Sequence, residues 1–319
     1  MKHWLAKPHQ TEPQILKWRE SYPDFVELDS LKQYIGLNVY SITITDKSIP
    51  PDNKSRLLVA VPHAHEPAGT VACMNFIHQV LTGQHLDGTQ SDLSKEAILS
   101  GCILSFIPDA NPDGRSRAPV DYWDGTEYSN EEFWTFMRGR DPETKKMWKR
   151  LGRWSIREEN PETIGIVYER INEHEYVEPN RDFSSSYFRL IKRIGEKYGY
   201  GRWLDVHQTE FQNSEYNAMV ILPIVQNELP EEIQRENIVW ADAIVQRWRE
   251  AGANPVPRSK PLGYTGEQAE YFRRTWREFM PTIPHVTLEV QNNNTRTPPL
   301  EQARLEEIGV RVSVELLLE

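Results

Sequence analysis

The sequence has few cysteines and no long apolar run, and each of these absences excludes a class of protein. Only two of its 319 residues are cysteine, Cys73 and Cys102. Two are too few for a disulfide framework, and their spacing is not that of a metal site, so we interpret both as reduced core residues. No run of about 18 apolar residues occurs, and residues 1–8 contain no apolar signal segment. We therefore expect a cytoplasmic protein with no membrane partner.

Positive charge is also scarce. The chain has 37 Lys and Arg residues against 47 Asp and Glu residues, which gives a net charge of −10. Because binding to nucleic-acid phosphates needs a basic surface, we expect no nucleic-acid partner. The length allows one large α/β domain or two smaller ones. No internal repeat or low-complexity segment divides the chain.

The most informative stretch is Leu57–Gly69. Its first part, Leu57–Val61, is a short apolar run typical of a buried strand, and apolar residues recur at helical spacing after Gly69. His63 and Glu66 therefore lie in a strand-to-helix turn, at the sheet edge where α/β proteins bind ligands. A His-x-x-Glu pair can supply a nitrogen and an oxygen to one Zn²⁺, whose catalytic sites take three protein ligands. On its own, this short pattern is more often a polar turn.

Two later strands carry a histidine and a glutamate in comparable positions. Arg202–Glu210 places His207 at the carboxyl end of a short apolar strand, which makes His207 the natural third metal ligand. Pro284–Val290 places Glu289 inside a strand with apolar neighbours, where a carboxylate is costly unless something satisfies it. The turn Asn111–Gly114 also follows a buried strand. Unrelated polar turns would not be expected to repeat this placement.

In these features the sequence resembles the zinc carboxypeptidase family, the carboxypeptidase A-like metallopeptidases. Five motifs carry the resemblance in the same order: His63-Ala64-His65-Glu66, Asn111-Pro112-Asp113-Gly114, Asn180-Arg181-Asp182-Phe183, His207 after a strand, and Thr287-Leu288-Glu289. Together they cover roughly residues 37–318. The resemblance implies an α/β fold, with a mixed, mostly parallel central sheet flanked by helices on both faces.

The resemblance also assigns roles to the metal ligands and the catalytic carboxylate. It implies that His63, Glu66 and His207 hold one Zn²⁺ per chain. Glu289 would act as general base on the metal-bound water and then donate a proton to the leaving amine. These roles agree with the chemistry, because zinc acidifies its water and polarises the scissile carbonyl while a nearby carboxylate transfers protons.

Asn180 and Arg181 match the family pair that binds the terminal carboxylate of the substrate. Arginine suits this task because its planar guanidinium can engage a carboxylate through two hydrogen bonds. The preceding segment, Tyr176–Pro179, departs from the Gly-Val-Asp-Leu-like run that many relatives have. The local backbone is therefore expected to differ at this point.

Two further family residues have several candidates here. The arginine that stabilises the tetrahedral oxyanion normally follows the Asn-Pro-Asp-Gly turn, and we select Arg117 for this role. The competing arginines are Arg115, Arg138 and Arg140. A tyrosine usually closes over the substrate from the loop before the last catalytic strand, and we select Tyr264 over Tyr271.

Other polar residues near the motifs have competing interpretations. His65 could compete with His63 for the metal, but the family spacing favours His63, and we interpret His65 as a neighbouring turn residue. Asp205 either supports the metal site or is buried for structural reasons. Glu210 is an exposed turn residue or an additional carboxylate near the metal. His78 and His85 are interpreted as structural or surface residues.

The resemblance predicts a single carboxypeptidase-like catalytic domain over residues 1–319. Within it we expect an N-terminal helical extension over residues 1–36 and a helical insertion or lid over residues 118–179. The second segment sets four tryptophans among many charges and is a candidate determinant of substrate choice.

Three functional hypotheses follow. The first is a zinc-dependent hydrolase that cleaves the amide next to the free carboxylate of a peptide. The second is a zinc-dependent deacylase of N-acyl amino acids, which would act little on longer peptides. The third is a catalytically silent relative that uses its cleft for binding. The intact ligand set and Glu289 favour an enzyme.

Overall fold

The computed structural model describes residues 3–141, 143–276 and 283–319. Two sheets form its framework, one of eight strands and one of three. The strands in chain order are β1 (Val26–Lys32), β2 (Asn38–Ile44), β3 (Ser55–Ala60), β4 (Cys102–Ile107), β5 (Trp154–Ser155), β6 (Glu169–Arg170), β7 (Glu175–Val177), β8 (Arg202–Thr209), β9 (Ala218–Leu222), β10 (Lys260–Pro261) and β11 (His285–Gln291).

The large sheet is mixed and mostly parallel, as the sequence predicted. Its strand order is β1-β2-β4-β3-β8-β11-β9-β10. The four central strands β4, β3, β8 and β11 run parallel to one another, whereas β2 joins β4, β1 joins β2 and β9 joins β11 by antiparallel pairing. Residues 57–60 of β3 and all of β4 are buried and rich in branched apolar residues, which is typical of strands covered on both faces.

Helices cover both faces of this sheet. The α-helices of the described residues are α1 (Pro8–Ser21), α2 (Pro67–Thr82), α3 (Lys95–Gly101), α4 (Pro112–Arg117), α5 (Asn130–Arg138), α6 (Ile156–Glu159), α7 (Ser186–Tyr198), α8 (Glu231–Glu250), α9 (Gly266–Trp276) and α10 (Pro299–Leu318). The largest core cluster joins one face to α2, α8 and α10, and a second cluster joins the other face to α7. Among the described residues, no helix is both long and apolar enough to cross a bilayer.

Close packing of α10 on β11 fixes the strand that carries Glu289. A Cβ atom at Gly309 of α10 would lie only 2.4 Å from Cδ1 of Leu288, so this position requires glycine. Leu288 is completely buried between the sheet and the helix. Because side chains alternate along a strand, Glu289 points to the opposite face, away from α10.

Strand register brings the predicted catalytic residues to one edge. Strands β3, β8 and β11 are parallel, so their carboxyl ends meet there. His207 of β8 is paired directly with Glu289 of β11, which in turn is paired with Met219 of β9. The turn that contains His63 and Glu66 follows β3 at the same edge.

Two expected segments differ from the structure. The N-terminal helical extension over residues 1–36 contains helix α1, but residues 26–32 form the edge strand β1. This strand has few strong β-formers and is held by antiparallel pairing with β2, a tertiary contact that local periodicity does not reveal. Residues 118–179 contain helices α5 and α6 but also the small sheet β5-β7-β6, so this segment is not purely helical.

Candidate active site

A short, rigid turn between β3 and α2 positions the first two predicted ligands. His63 and Glu66 are both buried, and Pro67 occupies the first turn of α2, where its missing N–H leaves no unpaired donor. Arg115 stabilises the turn through two hydrogen bonds. Its Nη2 donates to the carbonyl oxygen of His63 at 3.1 Å and to Oγ1 of Thr70 at 3.2 Å. The turn is therefore fixed by contacts that do not involve the cavity.

Three donor atoms converge at this edge of the sheet. Nδ1 of His63 lies 2.9 Å from Oε1 of Glu66 and 3.1 Å from Nδ1 of His207. Nδ1 of His207 lies 3.3 Å from Oε1 of Glu66. Ligands of a tetrahedral Zn²⁺, bound at about 2.0–2.2 Å, lie about 3.3 Å apart. The triangle of His63, Glu66 and His207 therefore has the dimensions of a zinc site.

The outer nitrogens of both imidazoles are bound to carboxylates. Nε2 of His63 lies 2.9 Å from Oε1 of Glu178 and 3.0 Å from Oδ1 of Asn180. Nε2 of His207 lies 2.9 Å from Oδ2 of Asp205. A neutral imidazole that donates through Nε2 presents a lone pair at Nδ1. Two lone pairs and a carboxylate oxygen then face one point, which is the donor set of a cation site.

Electrostatics keep the carboxylates of this site ionised. Burial alone would raise the pKa of Glu66, but the imidazoles of His63 and His207 bring that pKa below its usual range. Burial likewise opposes ionisation of Glu178, and its pKa is nevertheless held well below the usual range by Arg150, Arg181 and His63. Ionised carboxylates favour a bound cation and fix the histidine tautomers.

His65 also lies within reach of this centre. Donor atoms of His63, His65 and Glu66 all lie within 4.8 Å of one another. The His65 ring stacks on that of His63, with 5.1 Å between ring centroids, and its Nε2 lies 3.4 Å from Oε1 of Glu66. Burial lowers the pKa of His65 well below its usual value, so its imidazole is neutral. The structure thus offers two sets of three donors, one with His207 and one with His65.

Glu289 faces the same cavity from β11. Its Oε2 is buried and has no hydrogen-bond partner among the described residues. Burial is the main cause that raises the pKa of Glu289 to about 7, partly offset by His207 and increased by Glu66. A carboxylate with a pKa near neutrality can both accept and donate a proton at physiological pH.

The cavity has a volume of about 320 Å³ and contains the predicted substrate-binding pair. Asn180 and Arg181 follow β7, and both are buried. Nε of Arg181 lies 2.7 Å from Oε1 of Glu178, while its Nη1 has no hydrogen-bond partner among the described residues. The guanidinium also lies over the ring of Phe272, at 4.5 Å. A buried guanidinium with an unused N–H is suited to an anionic ligand group.

Tyr264, predicted to close over the substrate, also lines the cavity. Its ring is stacked on Phe272, with 5.1 Å between centroids and an angle of 4°. Tyr271, the alternative, packs with Arg274 along α9 and is not a lining residue. The structure therefore brings Tyr264 together with Arg181 through Phe272.

Arg117 does not reach this cavity. Its Nε donates to Asp113, and its terminal nitrogens donate to the carbonyl oxygens of Ile164, Gly165 and Tyr168. Arg115, the competing candidate, contacts the turn between β3 and α2 and does not line the cavity. The arginine that faces the cavity beside Arg181 is Arg150, whose Nε donates to Oε2 of Glu178 at 2.7 Å.

The remaining candidates lie apart from the cavity or at its margin. Arg138 donates to the carbonyl oxygen of Trp148, and Arg140 donates to Thr135 and Glu131. Glu210 is half-buried at the cavity margin and accepts from Thr209.

Three residues that complete the site were not among the predicted ones: Glu178, Arg150 and Phe272. A signal existed for Glu178, because it lies in the segment that departs from the usual family run, two residues before Asn180. Arg150 and Phe272 lie in segments without a motif, and only tertiary packing shows that they reach the cavity.

A family model named zinc carboxypeptidase matches residues 14–227. The chain belongs to the zinc carboxypeptidase family. The match includes His63, Glu66, Asn180, Arg181 and His207 and ends before β11. The position of Glu289 in this family member therefore rests on the strand register described above.

Solved structures show the same fold. A metallo-carboxypeptidase from Burkholderia cenocepacia is 12% identical with a TM-score of 0.61, covering 96% of this chain and 68% of that chain. Carboxypeptidase A from Helicoverpa armigera is 15% identical with a TM-score of 0.61, covering 98% of this chain and 74% of that chain. A search of curated proteins gave no match. At these identities the structural similarity establishes the fold alone.

Proposed function

We propose that this protein is a zinc-dependent hydrolase that cleaves the amide bond next to a free carboxylate, as at the C-terminus of a peptide. The observation that carries the proposal is the triangle of His63, Glu66 and His207, with Glu289 facing the same cavity. Membership of the zinc carboxypeptidase family supports it. The same arrangement would accept an N-acyl amino acid, whose amide also adjoins a carboxylate.

The positions of the cavity residues indicate the role of each residue in the reaction. A Zn²⁺ held by the triangle would polarise the scissile carbonyl and bring the pKa of a water towards about 7. Glu289 takes the proton from the attacking water and later delivers it to the leaving nitrogen. Glu178 and Asp205 hold the two imidazoles in the tautomer that keeps Nδ1 free for the metal.

The two arginines of the cavity serve different oxygens. Arg181, close to Phe272 and Tyr264, binds the free carboxylate of the substrate together with Asn180. Arg150 stabilises the negative charge that develops on the carbonyl oxygen, a role predicted above for Arg117. Glu178 contacts both guanidinium groups and fixes their positions relative to His63.

The hydrolysis of matched substrates tests the proposal. We expect the zinc-loaded protein to hydrolyse a peptide with a free C-terminus and to leave its C-terminal amide intact. We expect Arg181→Met to lower kcat/KM for the free-carboxylate peptide at least about 100-fold, because a charged hydrogen-bond pair to the substrate is lost. Arg189→Met, at an exposed position of α7, is the control and should change kcat/KM less than about twofold. Equal hydrolysis of acid and amide by the wild-type protein would contradict the proposal.

The two oxyanion candidates are separated by a pair of substitutions. We expect Arg150→Ala to lower kcat by about 100-fold to 1000-fold, the usual loss when a transition-state donor is removed. Arg117→Ala should lower the melting temperature, because the guanidinium bridges α4 to residues 164–168, but should leave kcat of the folded protein within about threefold. Steady-state kinetics and thermal unfolding of both variants provide the measurement. A larger kcat loss for Arg117→Ala would restore the original assignment.

The pH profile reports on Glu289. A general base must be unprotonated, so kcat/KM should fall as pH is lowered through the pKa of Glu289, about 7 without metal. A nearby Zn²⁺ favours the ionised carboxylate, which places the acid limb at or below this value. Below its midpoint, kcat/KM should decrease about tenfold per pH unit. A kcat/KM that rises on acidification from about pH 7 to pH 5 would contradict this role.

A further inference from the structure

A series of pairwise contacts connects the residues that line the cavity. Phe133 lies edge-on to His65 with 6.0 Å between ring centroids, and His65 stacks on His63. Beyond His63 come Glu178 and Arg181, which leads on to Phe272 and Tyr264. In this series of contacts, His63 lies between Phe133 and Arg181.

One helix builds the side that contains Phe133. Phe133, Trp134 and Met137 of α5 all line the cavity, and we call these three side chains the α5 wall. Phe133 and Met137 are one helical turn apart and almost completely buried, while Trp134 is half-buried. Trp123 packs against Phe133, and a cluster that includes Trp148 and Trp154 packs against Met137. These contacts hold the wall in place.

When the scissile amide of a substrate lies at the proposed metal centre, the substrate groups on its two sides extend in opposite directions. Its free carboxylate belongs on the side of Arg181, so the group on the carbonyl side of the amide extends towards the α5 wall. The wall carries no charge, and burying apolar surface against it is favourable. Among the charged residues of the same helix, Glu131 and Glu132 are exposed to solvent, and Arg138 donates to the carbonyl oxygen of Trp148.

We propose that the α5 wall binds the acyl side of the substrate and selects an apolar group there. This inference rests on the proposed function for the position of the amide. The shared chemistry is an apolar chain attached to the scissile carbonyl, which is present in a fatty-acyl amino acid and in a peptide with an apolar penultimate residue. Residues of the segment 118–179 thereby determine substrate choice.

Binding to the inactive Glu289→Gln variant tests the inference without requiring turnover. Calorimetry would measure the affinity of the zinc-loaded variant for each ligand. N-acetyl-, N-hexanoyl- and N-decanoyl-leucine form the first series. N-acetyl-glycyl-leucine and N-acetyl-phenylalanyl-leucine form the second series. Each methylene buried against the wall should tighten binding up to about fourfold. We expect decanoyl to bind at least about 30-fold more tightly than acetyl, or phenylalanyl at least about tenfold more tightly than glycyl.

Substitutions in α5 test whether the α5 wall causes any gain in affinity for the longer or aromatic ligands. Added to Glu289→Gln, Trp134→Ala should weaken binding of the long or aromatic ligand about tenfold and that of the shortest ligand less than about twofold. Phe136→Ala is the matched control, because Phe136 lies on the same helix, is exposed and does not line the cavity. It should leave both affinities unchanged.

The outcomes distinguish fatty-acyl amino acids from peptides as ligands. They also distinguish the proposed hydrolase function from the proposed binding role of the α5 wall. A gain in the acyl series assigns fatty-acyl amino acids, and a gain in the peptide series assigns peptides with an apolar penultimate residue. Equal affinities throughout both series would overturn the inference, as would an equal loss for short and long ligands in Trp134→Ala. If the wild-type protein hydrolyses none of these ligands while the binding trend persists, the proposed function fails and the α5 wall stands.

Discussion

Glu289→Gln should lower kcat at least about a thousandfold while the protein keeps its zinc. General acid–base catalysis contributes about 100-fold to 10,000-fold, and here one carboxylate would both accept and donate the proton. Glutamine has nearly the same shape but cannot take up the proton of the attacking water. Glu289 is not part of the triangle of His63, Glu66 and His207, so its amide should not disturb metal binding. Steady-state kinetics and elemental mass spectrometry of the same preparation provide both readouts.

A second cavity carboxylate serves as the matched control. Glu210 lies half-buried at the cavity margin and accepts a hydrogen bond from Thr209 at 3.0 Å. Glu210→Gln removes one negative charge from the same cavity, and we expect kcat to remain within about fivefold. Unchanged turnover in Glu289→Gln would exclude Glu289 as the general base. An equal loss in both variants would indicate a general effect of cavity charge and not proton transfer.

The positions of His63 and His207 were predictable because each lies near the carboxyl end of a short apolar strand. A short apolar strand is recognisable from its composition, and parallel strands bring their carboxyl ends to one edge. His63 follows such a strand, and His207 and Glu289 lie near the carboxyl ends of two others, so their proximity could be predicted from the sequence. Strand register then determines the pairing of His207 with Glu289, which composition alone does not specify.

The arginines were harder to assign because their positions depend on tertiary contacts. Arg117 follows the Asn-Pro-Asp-Gly turn, but α4 directs its side chain towards residues 164–168 and away from the cavity. Arg150 lies in a segment without regular periodicity and reaches the cavity by pairing with Glu178. An arginine side chain is long and flexible, so from similar sequence positions it can point into the cavity or away from it. The sequence therefore offered several arginines for the oxyanion role, and Arg150, which faces the cavity, was not among them.

His207→Ala should reduce the zinc content from about one ion per chain to near zero. The substitution removes one of three donors, and the cation site would keep only His63 and Glu66 of the triangle. Activity should fall with the metal and should not return when zinc is added at micromolar concentration. The measurement is elemental mass spectrometry after dialysis, with circular dichroism to show that the variant is folded.

His65→Ala is the comparison that separates the two donor sets. If His207 completes the site, His65→Ala retains its zinc, because Asp205 still holds His207 with Nδ1 towards His63 and Glu66. If His65 completes it, His65→Ala loses the metal while His207→Ala retains it. His207 has the stronger case because its Nε2 is anchored by a buried carboxylate, whereas Nδ1 of His65 has no hydrogen-bond partner among the described residues. An anchored imidazole loses less freedom on binding a metal and presents a more basic nitrogen to it.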